Sequence, residues 1–275
     1  MQKKLKKPKK RSGLRMLLGS KFYTARRFIK WHTGGISYAK KRVDENLPYT
    51  AYSHSTPLIR KLEKAKMELQ YNKITNLRIA AGRINGIVLY PGEAFSYWKL
   101  IGRPTKKKGY LKGIVLESGN VGEGIGGGLC QLSNLIYWMS LHTELDIVER
   151  HRHSYDVFPD SGRTQPFGSG ATCFYNYVDL MIKNNTNSIY RLCLNVGDTE
   201  LAGAWQCMES CEFSYEVYER EHLIRHEFWG GYTRHNTIFR KKYYIAGRMV
   251  EDAFVTENHA IMMYEPLLEN KEKLL

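Results

Sequence analysis

Long hydrophobic runs are missing from this 275-residue chain, and cysteine is scarce. No stretch of ~18 uncharged apolar residues occurs, so no transmembrane helix is predicted. Behind the basic start only Met16-Leu17-Leu18 is apolar, shorter than the ~7–15-residue apolar segment of a secretory signal. The five cysteines are an odd number in a chain too long to need disulfides, which predicts reduced thiols. We therefore expect a cytoplasmic protein, or one peripheral on the inner membrane face.

Acidic residues are absent from the first 43 positions, which hold 15 lysines and arginines. The remaining 27 basic residues equal the 27 acidic residues, so the net charge of +15 belongs to this N-terminal arm. A protein body that binds nucleic acid is expected to carry a basic face. The neutral composition after residue 43 therefore argues against nucleic acid as a partner, and contact through the arm alone is a weak alternative.

Residues 1–43 are predicted to form a basic arm and an amphipathic helix ahead of a single domain over 44–275. Apolar residues of the helix recur at three- and four-residue spacing, namely Leu14, Leu17, Leu18, Phe22, Ala25, Phe28 and Ile29. We favour packing of this stripe on the chain's own domain, because such stripes usually mark core contacts. The alternative is an anionic membrane surface, which suits a basic amphipathic helix behind a polybasic tail.

The remaining pattern predicts an α+β fold. It comprises N-terminal helices, a central glycine loop and a cysteine-bearing helix packed on a mainly antiparallel sheet, and a β-rich C-terminal part. A second helix is predicted over 57–81, because Thr56-Pro57 places proline at the first helical position. Further segments are strands at 87–90 and 113–116, a loop at 119–128, a helix at 131–141 and a strand from 146. The segments 177–182 and 189–194 flank turn-forming residues and predict a hairpin.

The sequence Gly126-Gly127-Gly128-Leu129-Cys130-Gln131 stands directly before the predicted helix 131–141. Glycine has no Cβ, so successive glycines let backbone N–H groups converge on another molecule. A cysteine at a helix N-terminus is shifted toward thiolate by the aligned peptide dipoles, as in many nucleophilic cysteines. The alternative is that the glycines only form turns and that Cys130 is a small buried hydrophobic residue.

A thiolate nucleophile needs a neighbouring base or positive charge, and three histidines follow Cys130. His142 lies twelve residues on, about 18 Å away along one helix, and is a poor partner. His151 and His153 come after the helix. If their segment returns as a strand beside the helix N-terminus, one of them reaches the sulfur, and both would share a face.

The residues that would assist such a pair are less well defined by the sequence. Backbone amides of residues 128–130 could form an oxyanion hole for acyl transfer, with Gln131 as an added donor. Asp156 or Asp179 could orient the histidine, and the sequence does not select between them.

A second constellation, Cys207-x3-Cys211-x10-His222-x3-His226, approximates a two-cysteine, two-histidine zinc site. Its central gap is shorter than the usual ~12 residues, and alternation over 213–217 predicts a strand rather than a finger helix. We therefore expect neither zinc nor another cofactor. The glycines at 119–128 lack the Lys-Ser/Thr pair of a phosphate-binding loop and do not open a dinucleotide-binding unit.

Five motifs, taken in order, resemble the VanW family, the vancomycin B-type resistance accessory proteins of bacteria. The first three are Pro91-Gly92-Glu93-Ala94-Phe95-Ser96, Tyr110-Leu111-Lys112-Gly113 and Gly126-Gly127-Gly128-Leu129-Cys130-Gln131-Leu132-Ser133-Asn134-Leu135. The others are Glu149-Arg150-His151-Arg152-His153-Ser154 and Asp179-Leu180-Met181-Ile182-Lys183-Asn184-Asn185-Thr186. The resemblance covers about residues 73–205. Where the family typically has Gly-Asp-Ala-Thr, this chain has Ser169-Gly170-Ala171-Thr172, so an aspartate there is missing or replaced by Asp179.

The resemblance implies a role in glycopeptide resistance or cell-envelope metabolism, and it supplies no settled biochemical activity. With the residues above, it leads us to expect a cysteine-dependent acyl transferase or amidohydrolase acting on peptidoglycan peptides or precursors. The predicted catalytic residues are Cys130, His153 or His151, and Asp179. The predicted substrate-binding residues are Gly126, Gly127, Gly128, Gln131, Ser133, Arg150 and Glu93. The alternatives are a non-catalytic precursor-binding module and a membrane-surface scaffold acting through residues 1–43.

Overall fold

A computed structural model of the chain has an α+β architecture, which confirms the predicted fold class. The structure describes residues 12–59, 67–117, 119–157 and 165–266. The helices are α1 (Gly13–Thr33), α2 (Met67–Ile84), α3 (Tyr97–Ile101) and α4 (Cys130–Leu141). None of the helices in these ranges is long and apolar enough to span a membrane.

Thirteen strands among the described residues form four sheets, and nearly all neighbouring strands are antiparallel. The strands are β1 (Tyr49–Pro57), β2 (Val88–Leu89), β3 (Ala94–Ser96), β4 (Lys112–Glu117), β5 (Asn120–Ile125), β6 (Asp146–Glu149), β7 (Tyr155–Asp156), β8 (Met181–Lys183), β9 (Tyr190–Val196), β10 (Glu200–Cys207), β11 (Phe213–His226), β12 (Tyr232–Tyr244) and β13 (Met249–Met262). The sheet orders are β1-β10-β9-β2, β11-β12-β13-β7, β3-β8-β6 and β4-β5. β7 pairs with β13 in parallel.

The helix α4 forms the centre of the core. It is apolar on nearly every side and buried at nine of its twelve positions, as expected of a helix surrounded by protein. It packs on β1 and β10. At Gly203 of β10, a Cβ atom would lie 2.9 Å from Met139 Cε, so the absent side chain lets helix and sheet approach closely. The buried Trp205 indole donates to Ser140 Oγ at 2.9 Å and joins the two elements.

The long strands β11, β12 and β13 form the β-rich C-terminal part that the sequence predicts. The guanidinium of Arg150 connects this sheet to the segment after α4. It donates to Gly170 O at 2.9 Å and to Asn258 Oδ1 of β13 at 3.1 Å. Charge-assisted hydrogen bonds of this kind hold a planar guanidinium in a fixed orientation.

The second predicted helix begins too early in the sequence. β1 continues to Pro57, which pairs with Glu200 of β10, and Leu58 N donates to Thr199 O at 2.8 Å. Strand pairing with β10 therefore takes precedence over the local preference of proline for a helix start. Within the described residues the helix is present from Met67, while positions 60–66 of the prediction lie outside the described ranges.

The hairpin predicted from 177–182 and 189–194 does not form. β8 pairs with β3 and β6, whereas β9 pairs with β10 and β2 in a different sheet. The buried side chain of Asn184 makes this crossing by donating to Leu89 O at 3.0 Å and Ser188 O at 2.8 Å. The loop predicted at 119–128 is also corrected, because residues 120–125 form β5 against β4.

The helix α1 contacts the domain through the face opposite to the predicted one. Arg27 and Trp31 are buried, and Arg27 Nη1 donates to Glu149 Oε2 at 2.9 Å. The apolar residues expected to pack are exposed instead, namely Leu14, Leu17, Leu18, Phe22, Phe28 and Ile29. The buried Arg27 and Trp31 are thus on the face that attaches the helix, and its apolar stripe remains uncovered by the described residues.

Candidate functional site

A turn over residues 126–129 leads into α4, whose first residue is Cys130. Gly128 has a φ of +90°, and a Cβ atom there would lie 2.2 Å from Lys73 Cγ of α2. At Gly127 a Cβ atom would lie 2.2 Å from a backbone carbonyl carbon of β4. The glycines predicted to bind substrate therefore let the turn pack against its own domain, since no larger residue fits this close approach.

The backbone N–H groups of this turn differ in whether they have a hydrogen-bond acceptor. The N–H groups of Gly126 and Gly127 donate to carbonyls of Leu111 and Gly124, each at 3.0 Å. Among the described residues, no acceptor takes up the N–H groups of residues 128–130, and no side chain caps α4. Unpaired amides at a helix start carry partial positive charge, which favours an anion beside them.

Two cysteines meet at this helix start. Cys130 Sγ lies 3.6 Å from both the sulfur and the carbonyl oxygen of Cys173, and the side chain of His153 lies near enough to act on its pKa. The hydrogen bond from Cys173, with that from His153, lowers the pKa of Cys130 well below its ordinary value, although burial opposes this. Burial, together with the neighbouring Cys130 sulfur, raises the pKa of Cys173. The structure thus brings together one thiolate-prone cysteine, one thiol and one histidine.

The first turn of α4 holds the segment that carries Cys173. The Ser133 hydroxyl donates to Ala171 O at 2.6 Å, and Asn134 Oδ1 accepts from Ala171 N at 2.8 Å. Ser133 is fully buried, so the residue predicted to bind substrate instead positions the neighbouring chain. A Cβ atom at Gly170 would lie 2.6 Å from Asn134 Oδ1. Gly170 stands where the family typically has an aspartate, and in this chain Asn134 occupies the space that a side chain there would need.

His151 and His153 are used differently. Residues 151–153 do not form a strand, and His151 Nε2 lies 3.0 Å from Glu149 Oε1 rather than near the sulfur. Burial raises the pKa of Glu149, but hydrogen bonds from His151 and Arg27 outweigh it and hold the pKa at about 2. The structure therefore pairs Cys130 with His153 and leaves His151 in a chain of contacts that leads to α1.

The aspartates proposed as a third member lie elsewhere. Asp179 is buried and accepts from Ser96 Oγ at 2.6 Å and Trp98 N at 2.9 Å, at the start of α3. Burial raises the pKa of Asp179 to about 7 despite these hydrogen bonds, which act in the opposite direction. Asp156 bonds residues of the C-terminal part. Within the described contacts, neither carboxylate orients His153.

Other residues predicted to bind substrate are engaged by the fold. The Gln131 amide nitrogen donates to Pro57 O at 2.8 Å, so this side chain is not directed at an oxyanion. Glu93 Oε2 accepts from Tyr90 N at 3.0 Å and closes a turn. Arg150 spans the core and the C-terminal sheet. These three side chains therefore stabilise local structure.

Sequence reasoning missed Cys173, Tyr97 and Glu149. Tyr97 is fully buried and donates from its hydroxyl to Leu129 O at 2.9 Å. Its pKa is raised by burial and by the two sulfurs. Cys173 stands 43 positions after Cys130, and no spacing rule connects them. Glu149 could have been found, because it lies two residues before His151, at the spacing of one strand face.

The structure does not bring the four residues of the zinc-like spacing together. Cys207 Sγ and Cys211 Sγ are 3.5 Å apart. His222 and His226 lie toward the far end of β11, and ~3.3 Å of rise per residue puts them roughly 36 Å and 50 Å along the chain from Cys211. In the described ranges, no cluster of three or more metal-ligating side chains is present.

The fold and the site define an α+β protein in which a cysteine of lowered pKa meets a histidine at the start of a buried helix. Residues 72–206, about half of the chain, match the family model described as VanW like protein. The chain belongs to this family.

Two curated relatives extend this comparison. Vancomycin B-type resistance protein VanW of Enterococcus faecalis is 33% identical over 182 residues, covering 66% of this chain and 64% of that protein. Uncharacterized protein YoaR of Bacillus subtilis is 31% identical over 112 residues, covering 41% of this chain and 35% of that protein. The chain thus spans just under two thirds of the first relative and about one third of the second. No solved structure matches the chain.

Proposed function

We propose that the protein acts in glycopeptide resistance or cell-envelope metabolism, as a cysteine-dependent acyl transferase or amidohydrolase on peptidoglycan peptides or their precursors. The similarity to a relative named as a vancomycin resistance protein supports the biological setting. The observation that carries the chemistry is Cys130, whose pKa is lowered at a helix start where His153 bonds its sulfur.

In this proposal the Cys130 thiolate attacks the carbonyl carbon of an amide, forming a C–S bond and an oxyanion. The N–H groups of residues 128–130, which no acceptor among the described residues takes up, stabilise that oxyanion. Loss of one such donor slows an enzyme of this kind by roughly 10²–10³. His153 supplies the proton to the leaving amine as the C–N bond breaks. Water, or an acceptor amine in a transferase, then attacks the thioester and gives its proton to His153. The C–S bond breaks and Cys130 leaves as the thiolate.

Cys173 supports the nucleophile rather than replacing it. Burial raises its pKa, so it keeps its proton at neutral pH. The protonated thiol can donate to the Cys130 sulfur, which lies 3.6 Å away. A hydrogen bond to the charged form of a group lowers that group's pKa. In this role Cys173 is a positioning residue.

A non-catalytic precursor-binding module is the second candidate function. It is favoured by the position of Asp179, which caps α3 instead of orienting His153. Gly170 also stands where the family typically has an aspartate. A histidine without an orienting carboxylate is a weaker base catalyst, because that partner fixes tautomer and direction.

The deciding experiment measures the pH dependence of Cys130 alkylation by peptide mass spectrometry in the full-length protein. We expect a midpoint below the ordinary thiol value of ~8.5 that rises in His153→Gln. The matched variant His151→Gln should leave the midpoint unchanged, because His151 bonds Glu149 instead. A midpoint at or above the ordinary value, indifferent to both substitutions, would move the protein to the binding-module function.

A second experiment separates chemistry from binding. Cys130→Ser and the control Cys193→Ser are introduced into a host in which deletion of this protein changes glycopeptide susceptibility. An enzyme loses its effect with Cys130→Ser alone, because serine lacks the acidity of the thiol. Full retention of the effect would support the non-catalytic candidate.

A further inference from the structure

The most unusual surface of the described molecule is the outer face of α1. Leu14, Leu18, Phe22 and Ile29 are 68%, 57%, 62% and 62% exposed. Their spacing of four and seven residues places them in one stripe along the helix. A soluble protein rarely leaves a continuous apolar stripe of this size uncovered, and such patches mark interaction sites.

The attachment of α1 fixes the direction of this stripe. Arg27 and Trp31 are each 7% exposed and hold the helix to the domain, Arg27 through Glu149 and the carbonyl of Tyr177. At 3.6 residues per turn, the attached residues lie roughly 160° around the helix from the stripe. The stripe therefore points away from the domain while the helix stays docked.

Positive charge flanks the stripe on α1. Arg15, Lys21 and Arg26 are exposed around it, and Lys30 is exposed beside its ion pair with Glu149. No acidic residue occurs before Asp44, and seven further lysines and arginines precede Ser12. Basic side chains beside an apolar stripe can extend to lipid phosphates while their stems cover apolar surface.

We propose that α1 binds the surface of an anionic membrane, with its apolar stripe in the boundary between headgroups and acyl chains. The charge selects this partner over a second copy of the chain, because two copies would bring two arms of the same positive charge together. An interfacial helix of this kind combines buried apolar area with attraction to anionic lipids. The stripe and the basic flanks of α1 supply both contributions.

The test is co-sedimentation of the full-length chain with vesicles. One set contains phosphatidylcholine and phosphatidylglycerol in equal parts, and the other contains phosphatidylcholine alone. We expect binding to the anionic set and a loss of at least about tenfold in the double variant Leu18→Ser/Phe22→Ser. The matched control, Phe228→Ser/Ile245→Ser, removes apolar residues that are 96% and 65% exposed in the turns between strands of the C-terminal sheet and should bind like the wild type.

Three results would overturn the proposal. The first is that the chain fails to sediment with anionic vesicles. The second is that the stripe variant sediments as well as the control, which would leave only the polybasic segment as the binder. The third is a dimer, measured by light scattering, that the stripe variant alone abolishes, because a second copy would then cover the stripe. Circular dichroism of both variants must match the wild type.

Discussion

Two pairs of neighbouring cysteines in this protein have almost the same sulfur separation, but Cys130 of one pair and Cys207 of the other differ in acidity. Cys130 and Cys173 are 3.6 Å apart, and Cys207 and Cys211 are 3.5 Å apart. The pKa of Cys130 is lowered well below its ordinary value, whereas that of Cys207 is raised to about 12. The distance between two sulfurs therefore does not identify a nucleophile.

The surroundings of the two sulfurs account for the difference. Cys207 ends a strand, where burial raises its pKa and the nearby Glu144 and Glu209 carboxylates add to the effect. Cys130 begins a helix, where hydrogen bonds from Cys173 and His153 lower its pKa against the effect of burial. Burial raises the pKa at both positions, so the hydrogen bonds and charges beside each thiol account for the difference between Cys130 and Cys207.

The largest expected effect is on alkylation rates. At pH 7 and low iodoacetamide concentration, Cys130 should react at least about a hundredfold faster than Cys207, because only the thiolate attacks. Peptide mass spectrometry of the native protein gives both rates in one sample. Similar rates for the two residues would remove the distinction between the pairs.

The next effect concerns the turn that presents Cys130. Gly128→Ala should reduce the free energy of unfolding by about 2 kcal/mol, since φ is positive and the new Cβ meets Lys73. Gly122→Ala is the matched control, because its Cβ would lie 3.8 Å from Val115, an ordinary contact. Urea unfolding measures both variants. Equal stabilities would contradict the requirement for glycine at the turn.

A smaller effect tests how the second cysteine of each pair changes the pKa of Cys130 or of Cys207. Cys173→Ala removes the hydrogen bond to Cys130 and should raise the pH midpoint of Cys130 alkylation by about one unit. Cys211→Ala should not make Cys207 comparably reactive, since burial is the largest cause of its raised pKa. A midpoint of Cys130 alkylation that Cys173→Ala leaves unchanged would assign the lowered pKa to the helix start and His153 alone.

The sequence predicts local features of this site better than its long-range contacts. The helix start at Cys130 and the strand at 146 follow from glycines and apolar periodicity, which are local signals. The meeting of Cys130 with His153 depends on the path of the chain after α4. That path is a long-range feature of the fold, and spacing alone left His151 and His153 equivalent.

The errors in the fold have a common physical cause. In each case a local preference is read from the sequence, and contacts with distant parts of the chain decide which structure forms. The cases are Pro57, the segment after Asn184 and the apolar stripe of α1. β10 recruits residues up to Pro57 into a strand, and the side chain of Asn184 guides the chain into another sheet. The stripe of α1 is amphipathic as predicted, but amphipathicity does not specify which surface covers it.

Two carboxylates show the same contrast between burial and neighbouring groups, and they give the smallest expected effect. Burial raises the pKa of Asp179 to about 7, while His151 and Arg27 hold that of Glu149 at about 2. Between about pH 4 and pH 7 the folded protein keeps a proton on Asp179 that the unfolded chain releases, so this contribution to stability falls as pH rises. Glu149 acts in the opposite direction, and its contribution is lost as pH falls from about 4 to 2. Asp179→Asn should therefore flatten the pH dependence between pH 5 and pH 6 by about 1 kcal/mol in urea unfolding, while the exposed control Asp198→Asn should follow the wild type. A variant with the wild-type slope would show that Asp179 titrates at its ordinary value and that its hydrogen bonds to Ser96 and Trp98 outweigh burial.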